Sequence, residues 1–300
     1  MGLDKVQHSR QINIHSDRIG HLVHNEAYTS LTWDDYIGQE KLKDRIQIHA
    51  KAAVEQGHQM DHVLLSGVAG SGKTSMARLI AEELGTDIFE VTAPLKKNML
   101  KRIVGGFQGV FFIDEIHRMP AKEQEELLTV LQEGYFDDGG EKIEAGWLCI
   151  VGATTEQDQL IEPLFSRFPI RPKFEEYSDE EMGKIVKGMA DRVGIEMSQE
   201  TADILGLATG GVPRNAKMMV NMARDLGSDD VDTILEKLQL TREGFTEDHV
   251  EYVLTLARSG GTAGLNILKA HLRLTNATIV GLERLLVKRK MIEYTKSGRS

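Results

Sequence analysis

The sequence contains a single cysteine, Cys149, among its 300 residues, and it therefore cannot form an internal disulfide bond. Cys149 lies in the apolar run from 147 to 151, which predicts a buried core position and not a nucleophile. No apolar stretch approaches the roughly 20 residues that span a membrane, and the N-terminal MGLDKVQHSR lacks the apolar run of a signal peptide. Repeats of about 20 to 50 residues are also missing. These absences exclude a disulfide scaffold, a membrane-spanning protein and a solenoid, and they predict a soluble cytoplasmic protein.

Acidic residues outnumber basic ones, but the two signs are unevenly distributed. The net charge of the chain is −10, whereas residues 265–300, called here the basic segment, hold eight Lys or Arg against two Glu, or +6. The rest of the chain therefore carries −16, since −10 minus +6 is −16. An acidic body with one basic end predicts that this end holds an anionic polymer such as DNA. A solvated basic tail is the alternative, although the basic segment also has apolar periodicity.

Residues 61–85 read DHVLLSGVAGSGKTSMARLIAEELG, in which an apolar run precedes an amphipathic helical pattern. The turn between them fits G-x-x-x-x-G-K-[ST], whose glycines let backbone N–H groups surround a phosphate at a helix N-terminus. We expect the lysine to reach the β and γ phosphates of ATP and the threonine hydroxyl to bind Mg²⁺. The predicted nucleotide-binding residues of this loop are Gly67, Gly70, Gly72, Lys73, Thr74 and Ser75.

A second motif, GVFFIDEIHR, occupies residues 109–118. Its four consecutive apolar residues predict a strand that is buried on both faces of a parallel sheet. Two carboxylates follow at the C-terminal end of this strand, where open α/β sheets bind ligands. Because neighbouring strand residues point in opposite directions, we expect Asp114 to face Mg²⁺ and Glu115 to face the water that attacks the γ-phosphate. An acidic turn without a catalytic role is the alternative interpretation.

Patterns of strands and helices divide the chain into four parts. Residues 1–32 are polar without a clear period and are predicted to be a poorly ordered extension. From 33 to 173 short apolar runs alternate with helical patterns, which predicts an ATPase domain with a parallel sheet between two layers of helices. Residues 174–240 are predicted to be helical throughout, with glycine ends and a proline start at Pro213. Short helices and a terminal hairpin are predicted from 241 to 300.

The order of the motifs resembles the RuvB family of AAA+ motors, which drive branch migration of Holliday junctions. The matching motifs are YIGQE (36–40), GVAGSGKT, FFIDEIHR, GATT (152–155), PLFSRF (163–168) and GVPR (211–214). The resemblance runs from about 33 to 299, and DEIHR, GATT, the GGxxGL at 260–265 and the final SGR are similar to RuvB rather than to AAA+ proteins at large. It implies an AAA+ P-loop domain, a helical lid domain and a winged-helix domain, with ATP and Mg²⁺ as cofactors.

The resemblance also implies roles for individual residues around ATP. Thr155 matches the polar sensor near the γ-phosphate, with Thr154 as the alternative. Arg167 matches the arginine finger that enters the neighbouring subunit's site, and Arg214 matches the second sensor at the start of a lid helix. Tyr36 and Ile37 match the adenine-side segment, and Tyr177 resembles a lid-hinge aromatic near the base. A surface salt bridge is the alternative for the two arginines, and a core position is the alternative for the two tyrosines.

The last sixty residues resemble the winged-helix domain of RuvB, in which a helix lies against DNA while a hairpin reaches the phosphates. The predicted DNA-binding residues are Lys288, Arg289, Lys290, Lys296 and Arg299, of which the last two match the family's basic wing. Such contacts follow the phosphate backbone and carry little sequence information, as a translocating motor requires.

The sequence departs from the family pattern at two places. The phosphate loop reads GVAGSGKT where the family favours a proline pair, but its glycine, lysine and threonine positions remain. The segment between 133 and 152 is shorter than in the family and lacks the apolar hairpin tip that docks the partner RuvA. Residues 137–140 predict a tight turn, so that a short hairpin with an acidic tip is expected. We therefore expect a standard RuvA to bind weakly or not at all.

The combined prediction is an ATP-driven DNA motor that acts on four-way junctions or duplex DNA as a homo-oligomeric ring, with a hexamer implied by the resemblance. A junction-binding loader is an optional partner, and no membrane partner is expected. The alternative is a clamp-loader-like or helicase-loader switch that places a protein partner on DNA without sustained translocation. A protein remodeller is a third hypothesis, against which the basic segment argues.

Overall fold

The computed structural model of the protein describes residues 21–23, 31–96, 98–295 and 298–300. The chain divides into two compact units, one ending at Glu175 and the other running from Glu176 to Ser300. The predicted extension over residues 1–32 lies largely outside the described residues. The finer division at residue 240 stays a prediction.

A parallel sheet forms the centre of the first unit. Its strands are β1 (His21–Val23), β2 (Val63–Ser66), β3 (Ile88–Thr92), β4 (Gly109–Asp114) and β7 (Leu148–Thr154), whereas β5 (Tyr135–Asp138) and β6 (Glu141–Glu144) form a separate hairpin. The sheet order is β1-β3-β4-β7-β2, and every pair is parallel except β1 with β3. The predicted parallel sheet is confirmed. The sequence did not predict β1, because three residues are too few to show a period, but the strand covers the open edge of β3.

Helices cover both faces of this sheet. They are α1 (Glu40–Gln56), α2 (Lys73–Glu83), α3 (Met99–Val104), α4 (Ala121–Glu133) and α5 (Glu162–Ser166). Alternate residues of β4 enter opposite cores: Phe111 and Ile113 pack into one cluster, and Val110 and Phe112 into the other. A strand that is buried on both faces explains the continuous apolar run, and it holds the residues at its carboxyl end in fixed positions.

The hairpin of β5 and β6 is short, as expected from the sequence. Tyr135 pairs with Glu144 at its base, and the turn passes through Gly139 and Gly140, whose φ angles of 67° and 102° favour glycine. Ile143 is half-buried and packs against the core, and a Cβ atom at Gly105 would lie 2.8 Å from its Cγ2. Ile143, the one large apolar residue between Phe136 and Trp147, therefore faces the protein and not the tip.

Four helices open the second unit: α6 (Asp179–Arg192), α7 (Gln199–Ala208), α8 (Pro213–Leu226) and α9 (Val231–Leu238), called here the helical region. Ser178 and Glu181 form a capping box at the start of α6, which satisfies two backbone N–H groups there. Helices α6 and α7 meet at glycines, since a Cβ atom at Gly206 would lie 2.4 Å from the backbone nitrogen of Gly183. The predicted helical character of this stretch is confirmed.

Three helices and a small hairpin follow: α10 (Glu247–Arg258), α11 (Leu265–Leu272), α12 (Asn276–Lys288), β8 (Tyr294–Thr295) and β9 (Gly298–Arg299). This winged-helix region has its own core, which includes Tyr252, Leu268 and Ile279. The hairpin is tied to the loop before α11, because the backbones of Ala263 and Arg299 exchange two hydrogen bonds of 3.0 and 3.1 Å. The predicted terminal hairpin is confirmed.

Within the described residues, no helix is both long and apolar enough to cross a bilayer. Cys149 lies fully buried in β7. Burial, with a smaller contribution from the charge of Asp61, raises the pKa of the Cys149 thiol to about 12. The thiol is therefore protonated and shielded at neutral pH, in agreement with the predicted core position.

Candidate active site and DNA-binding segment

The phosphate loop connects β2 to α2 in the first unit. Its glycines take left-handed backbone angles, with φ of 77° at Gly70 and 102° at Gly72, and Gly72 also precedes the first turn of α2 without a side-chain cap. Lys73 is buried, and its Nζ donates hydrogen bonds of 2.9 Å to the carbonyl oxygens of Gly67 and Val68. Thr74 and Ser75 follow in the first turn of α2 and are half-buried. The lysine is thus folded back over a loop whose backbone suits an anion.

Strand pairing brings three functional segments to one edge of the sheet. Ser66 at the end of β2 pairs with Thr154 at the end of β7, and β7 also pairs with β4, which ends at Asp114. The phosphate loop follows β2, Glu115 follows β4, and Thr155 follows β7. Since the strands are parallel, their carboxyl ends lie side by side. The structure therefore brings the predicted phosphate loop, acidic pair and sensor together.

Glu115 adopts a left-handed backbone conformation with φ of 50°, which is uncommon for a residue with a side chain. Its backbone N–H donates to Asp114 Oδ1 at 3.0 Å, and its Oε2 accepts a 3.1 Å hydrogen bond from the Thr155 hydroxyl. Strained backbone of this kind concentrates at functional sites. Thr155 is exposed, so the Glu115 and Thr155 side chains meet at the solvent edge of the sheet.

His117 supports this pair from the interior and was not singled out in the sequence. Its Nδ1 lies 3.0 Å from Thr154 Oγ1 and 3.3 Å from Glu115 Oε2, and the ring is buried. Thr154 is fully buried, and its hydroxyl also accepts from the backbone N–H of Glu156. Thr154 is therefore engaged inside the protein, which favours Thr155 as the sensor. The available signal was its place in the motif, where the histidine follows the DE pair and one isoleucine.

The predicted adenine-side residues of the first unit lie before α1. Tyr36 is 6% exposed, and its hydroxyl donates to the carbonyl oxygen of Gly72 at 3.3 Å. Ile37 beside it is half-buried. Tyr36 therefore contacts the phosphate loop itself, a contact that the sequence did not predict.

Arg167 ends α5 and has an exposed side chain. Its Nη2 donates a 3.2 Å hydrogen bond to Gln132 Oε1 on α4, which is also exposed. A guanidinium that is exposed at the surface and bonded to a neutral amide is accessible to a neighbouring molecule. This geometry is compatible with an arginine that acts in trans.

Two predicted nucleotide residues belong to the second unit. Tyr177 is 3% exposed and precedes α6, and its carbonyl oxygen accepts from Lys288. Arg214 is exposed and follows Pro213 in the first turn of α8. Their roles at ATP stay predictions.

The basic segment is less exposed than its sequence suggests. Lys288 and Arg289 contact Asp179 of the helical region, with nitrogen to oxygen distances of 3.6 and 2.6 Å. Arg299 contacts Glu283, whereas Lys290 is exposed. Lys296, a further predicted DNA-binding residue, lies outside the described residues. Three of the predicted cations thus have acidic partners inside their own unit.

Glu283 is a buried carboxylate at the centre of the winged-helix region. Its oxygens accept hydrogen bonds from the Tyr252 hydroxyl at 2.8 Å, the Tyr294 hydroxyl at 2.9 Å and Arg299 Nε at 2.8 Å. Burial acts to raise the pKa of Glu283, but the hydrogen bonds from Arg299 and the two tyrosines outweigh it and hold the pKa below its ordinary value. The carboxylate is therefore ionised at neutral pH and anchors the hairpin through Arg299.

The loop and strand ends fit a nucleotide with a divalent cation. A Cβ atom at Gly67 would lie 2.7 Å from that of Phe174, so a side chain there would displace the loop. The described residues contain no group of three or more His, Cys, Asp or Glu that could hold a metal ion by itself. A cation held by Thr74 and Asp114 would therefore need phosphate oxygens and water as its other ligands, which is how proteins usually bind Mg²⁺.

Comparison with known proteins identifies the family. Residues 29–174 match the Holliday junction DNA helicase RuvB P-loop domain, and residues 242–300 match the RuvB C-terminal winged helix domain. A Streptococcus pneumoniae protein named Holliday junction branch migration complex subunit RuvB is 32% identical over 289 residues, covering 88% of this chain and 87% of the relative. The chain belongs to the RuvB family.

Other RuvB proteins give the same result. An Anaeromyxobacter RuvB is 31% identical over 292 residues, which cover 89% of this chain and 85% of the relative. The solved Thermotoga maritima RuvB, described as a Holliday junction branch migration motor, superimposes with a TM-score of 0.76 at 31% identity, covering 90% of this chain and 94% of that one. The resemblance to RuvB and the fold that it implied, an AAA+ P-loop domain with a helical region and a winged helix, are confirmed.

Proposed function

We propose that this protein is an ATP-driven motor that moves the branch point of four-way DNA junctions. The observation that carries the proposal is the edge of the sheet where the phosphate loop, the acidic pair and Thr155 meet, in a chain that ends in a winged-helix region. ATP with Mg²⁺ supplies the phosphoryl group whose transfer to water releases free energy. A cytoplasmic location agrees with this role.

Each residue at the sheet edge has one task in this proposal. Lys73 and the loop N–H groups bind phosphate oxygens, and Thr74 and Asp114 hold the cation. Glu115 Oε2 orients the attacking water and accepts its proton. The hydrogen bond from Thr155 holds Glu115 at 3.1 Å before the reaction, so that the sensor and the base are positioned together.

The motor is proposed to act as a ring of six subunits, which is the number that the resemblance to the RuvB family implies. Arg167 is exposed on its own subunit, where it donates a hydrogen bond to Gln132 Oε1. In a ring it would reach the neighbouring ATP site and stabilise the charge that develops on the phosphoryl group. Arg214, Tyr36, Ile37 and Tyr177 complete the proposed nucleotide contacts.

The winged-helix region is proposed to hold DNA through cations of the basic segment. The candidates for phosphate contacts are Lys290, which is exposed, and Lys296, which matches the family's wing. The other predicted cations are paired, Lys288 and Arg289 with Asp179 and Arg299 with the buried Glu283. Such contacts neutralise phosphates without reading bases, which suits a motor that must move along any sequence.

The short hairpin supports a second part of the proposal, namely that a standard RuvA binds weakly or not at all. Its tip carries Asp137, Asp138 and Glu141, and Ile143 is turned toward the core. Interface hot spots are enriched in Trp, Tyr and Arg side chains that fill pockets on the partner, and residues 137–141 include none of these. Calorimetry with a RuvA tests this point, and binding at about 1 μM or tighter would contradict it.

The function is tested with fluorescent four-way junctions. Purified protein with ATP and Mg²⁺ should convert junctions into duplexes, and duplex or junction DNA should raise its ATP turnover. Lys73→Ala is the matched control and should abolish both activities. If DNA stimulates ATP turnover but junctions persist, with or without a RuvA, the protein acts as a loader and not as a branch-migration motor.

A further inference from the structure

The C-terminal end of α12 is fastened to the helical region by two basic side chains. Arg289 binds Asp179 with both Nη atoms, at 2.6 and 3.3 Å, and Lys288 Nζ lies 3.6 Å from the same carboxylate. Lys288 also donates to the carbonyl oxygen of Tyr177 at 2.9 Å. Asp179, Lys288 and Arg289 are called the clamp. A bidentate pair of this kind is stronger and more directional than a single ion pair.

The donors of Arg289 are directed into the protein. Besides Asp179, its Nη2 donates to the carbonyl oxygen of Leu207 at 2.6 Å, and its Nε lies 3.4 Å from that of Glu243. The side chain is only 14% exposed. The next residue, Lys290, is exposed. Two adjacent cations of the basic segment therefore have opposite surroundings, one suited to a structural contact and one to a phosphate.

The clamp touches the segments that carry the proposed nucleotide residues of the second unit. Lys288 holds the backbone of Tyr177 and also packs against the turn between α7 and α8, where a Cβ atom at Gly211 would lie 2.5 Å from its Nζ. A Cβ atom at Gly210 in the same turn would lie 3.3 Å from Leu285 Cδ1. Arg214 lies only three residues beyond Gly211. One end of α12 thus lies against both segments that carry the proposed nucleotide residues.

We propose that Asp179, Lys288 and Arg289 are positioning residues that lock the winged-helix region to the helical region, so that both move as one body when nucleotide moves the helical region. The inference rests on the proposed function, since it needs DNA on the winged-helix region. Salt bridges and packed helices transmit displacement, whereas a loose joint dissipates it. The clamp therefore sets how much DNA movement each ATP produces, and not how tightly DNA or ATP binds.

Two single variants test the clamp from opposite sides. Arg289→Ala removes a positive charge and Asp179→Ala removes a negative one, yet both break the same contact. Each should reduce the number of junctions resolved per ATP by roughly fivefold or more. ATP turnover without DNA and affinity for duplex DNA should stay within about twofold of wild type, since neither variant touches the phosphate loop.

Lys290→Ala is the matched control, because it removes the neighbouring exposed cation. It should weaken DNA binding and reduce the slope of log affinity against log salt concentration by about one. If Arg289→Ala lowers this slope as Lys290→Ala does while Asp179→Ala leaves it unchanged, Arg289 is a phosphate contact and the clamp is overturned. Unchanged junction resolution in both clamp variants would overturn it as well.

A charge-exchange variant distinguishes loss of the clamp from loss of folding. The double variant Asp179→Arg with Arg289→Asp restores the pair in reverse and should recover most of the activity per ATP. Arg289→Lys keeps the charge but loses the bidentate geometry, and an intermediate loss is expected. Thermal unfolding identifies any variant that fails to fold, and failure of the exchange variant to recover activity while remaining folded would contradict the proposal.

Amide exchange separates the clamp from the proposed function. A non-hydrolysable ATP analogue should change deuterium uptake over residues 276–290 in the wild type, and this response should disappear in Arg289→Ala. If the wild type resolves no junctions but passes this test, the proposed function fails while the clamp holds. If the analogue has no effect on residues 276–290 of the wild type, the clamp fails whatever the protein does to junctions.

Discussion

The phosphate loop of the first unit and the basic segment of the second are both short stretches with a simple charge pattern, but the fold uses them differently. Asp114 ends β4, Glu115 follows it, and Lys73 lies beyond β2, and the pairing of both strands with β7 brings these residues to one edge of the sheet. In the basic segment, Arg299 forms an ion pair with the buried Glu283. Lys288 and Arg289 pair with Asp179 in the clamp. Only Lys290 is both exposed and described among the predicted DNA contacts.

The difference has a physical origin. A loop between a strand and a helix is shaped by its own glycines and by backbone hydrogen bonds, so local sequence determines where its side chains lie. A cation on a helix has no such constraint and pairs with whichever carboxylate the packing brings near. A carboxylate as buried as Glu283 must find a charged partner, since an unpaired buried charge is very costly. Net charge alone therefore overstates the surface that is available to DNA.

The largest expected effect is at the sheet edge. Glu115→Gln keeps the size of the side chain and its contact with Thr155 but loses the charge that accepts a proton. ATP turnover should fall by about 10² to 10⁴-fold while ATP binding persists. Steady-state turnover and binding of a fluorescent ATP analogue measure the two properties. Loss of ATP binding would instead show that Glu115 has a structural role, like the paired cations of the basic segment.

Arg167→Ala should reduce ATP turnover by about a hundredfold or more, with normal ATP binding, if the arginine acts on the neighbouring subunit. Mixing tests this directly. A Glu115→Gln subunit supplies an intact Arg167 to an Arg167→Ala subunit whose Glu115 is intact, and the mixture should recover part of the activity that both variants lack. Co-assembly without recovery would show that Arg167 acts within its own subunit.

The sequence predicted the first unit better than the second. The phosphate loop, the acidic pair and the parallel sheet follow from motif spacing and local periodicity, and the structure contains all three. His117 was missed because its partners, Thr154 and Glu115, come together only through the pairing of β4 with β7. The clamp was missed for the same reason, since Asp179 and Arg289 are 110 residues apart. Their contact depends on packing that no local pattern encodes.

Glu283→Gln tests whether the second unit depends on its buried carboxylate. The variant leaves Arg299 without a charged partner and should lower the free energy of unfolding of this unit by about 3 kcal/mol, at the low end for a buried pair because Arg299 is partly exposed. Thermal unfolding followed by helix signal measures the loss. Glu293→Gln, at an exposed position of the same segment, is the control and should be nearly neutral.

The ionisation of Glu283 predicts how the stability of the second unit changes with pH. Because the pKa of Glu283 in the folded protein lies below its ordinary value of 4.5, its contribution to stability is full above about pH 4.5 and is lost as the pH falls further. The wild type should therefore lose this contribution in acid, and Glu283→Gln should show a flatter acid profile. Equal profiles for the two proteins would mean that the pair with Arg299 does not form in solution.

The smallest expected effect concerns the two cations that remain candidates for DNA. Lys290 is exposed, and Lys296 is predicted from the sequence to lie in the wing. Each phosphate contact releases about 0.9 counterions from B-DNA, so that Lys290→Ala with Lys296→Ala should reduce the slope of log affinity against log salt by about two. The loss should be similar for unrelated duplex sequences, because phosphate contacts do not read bases. Lys237→Ala, an exposed lysine of the helical region, should leave the slope unchanged. If the double variant keeps the wild-type slope, the DNA contacts belong to other cations, and the exposed cations are not the ones that bind DNA.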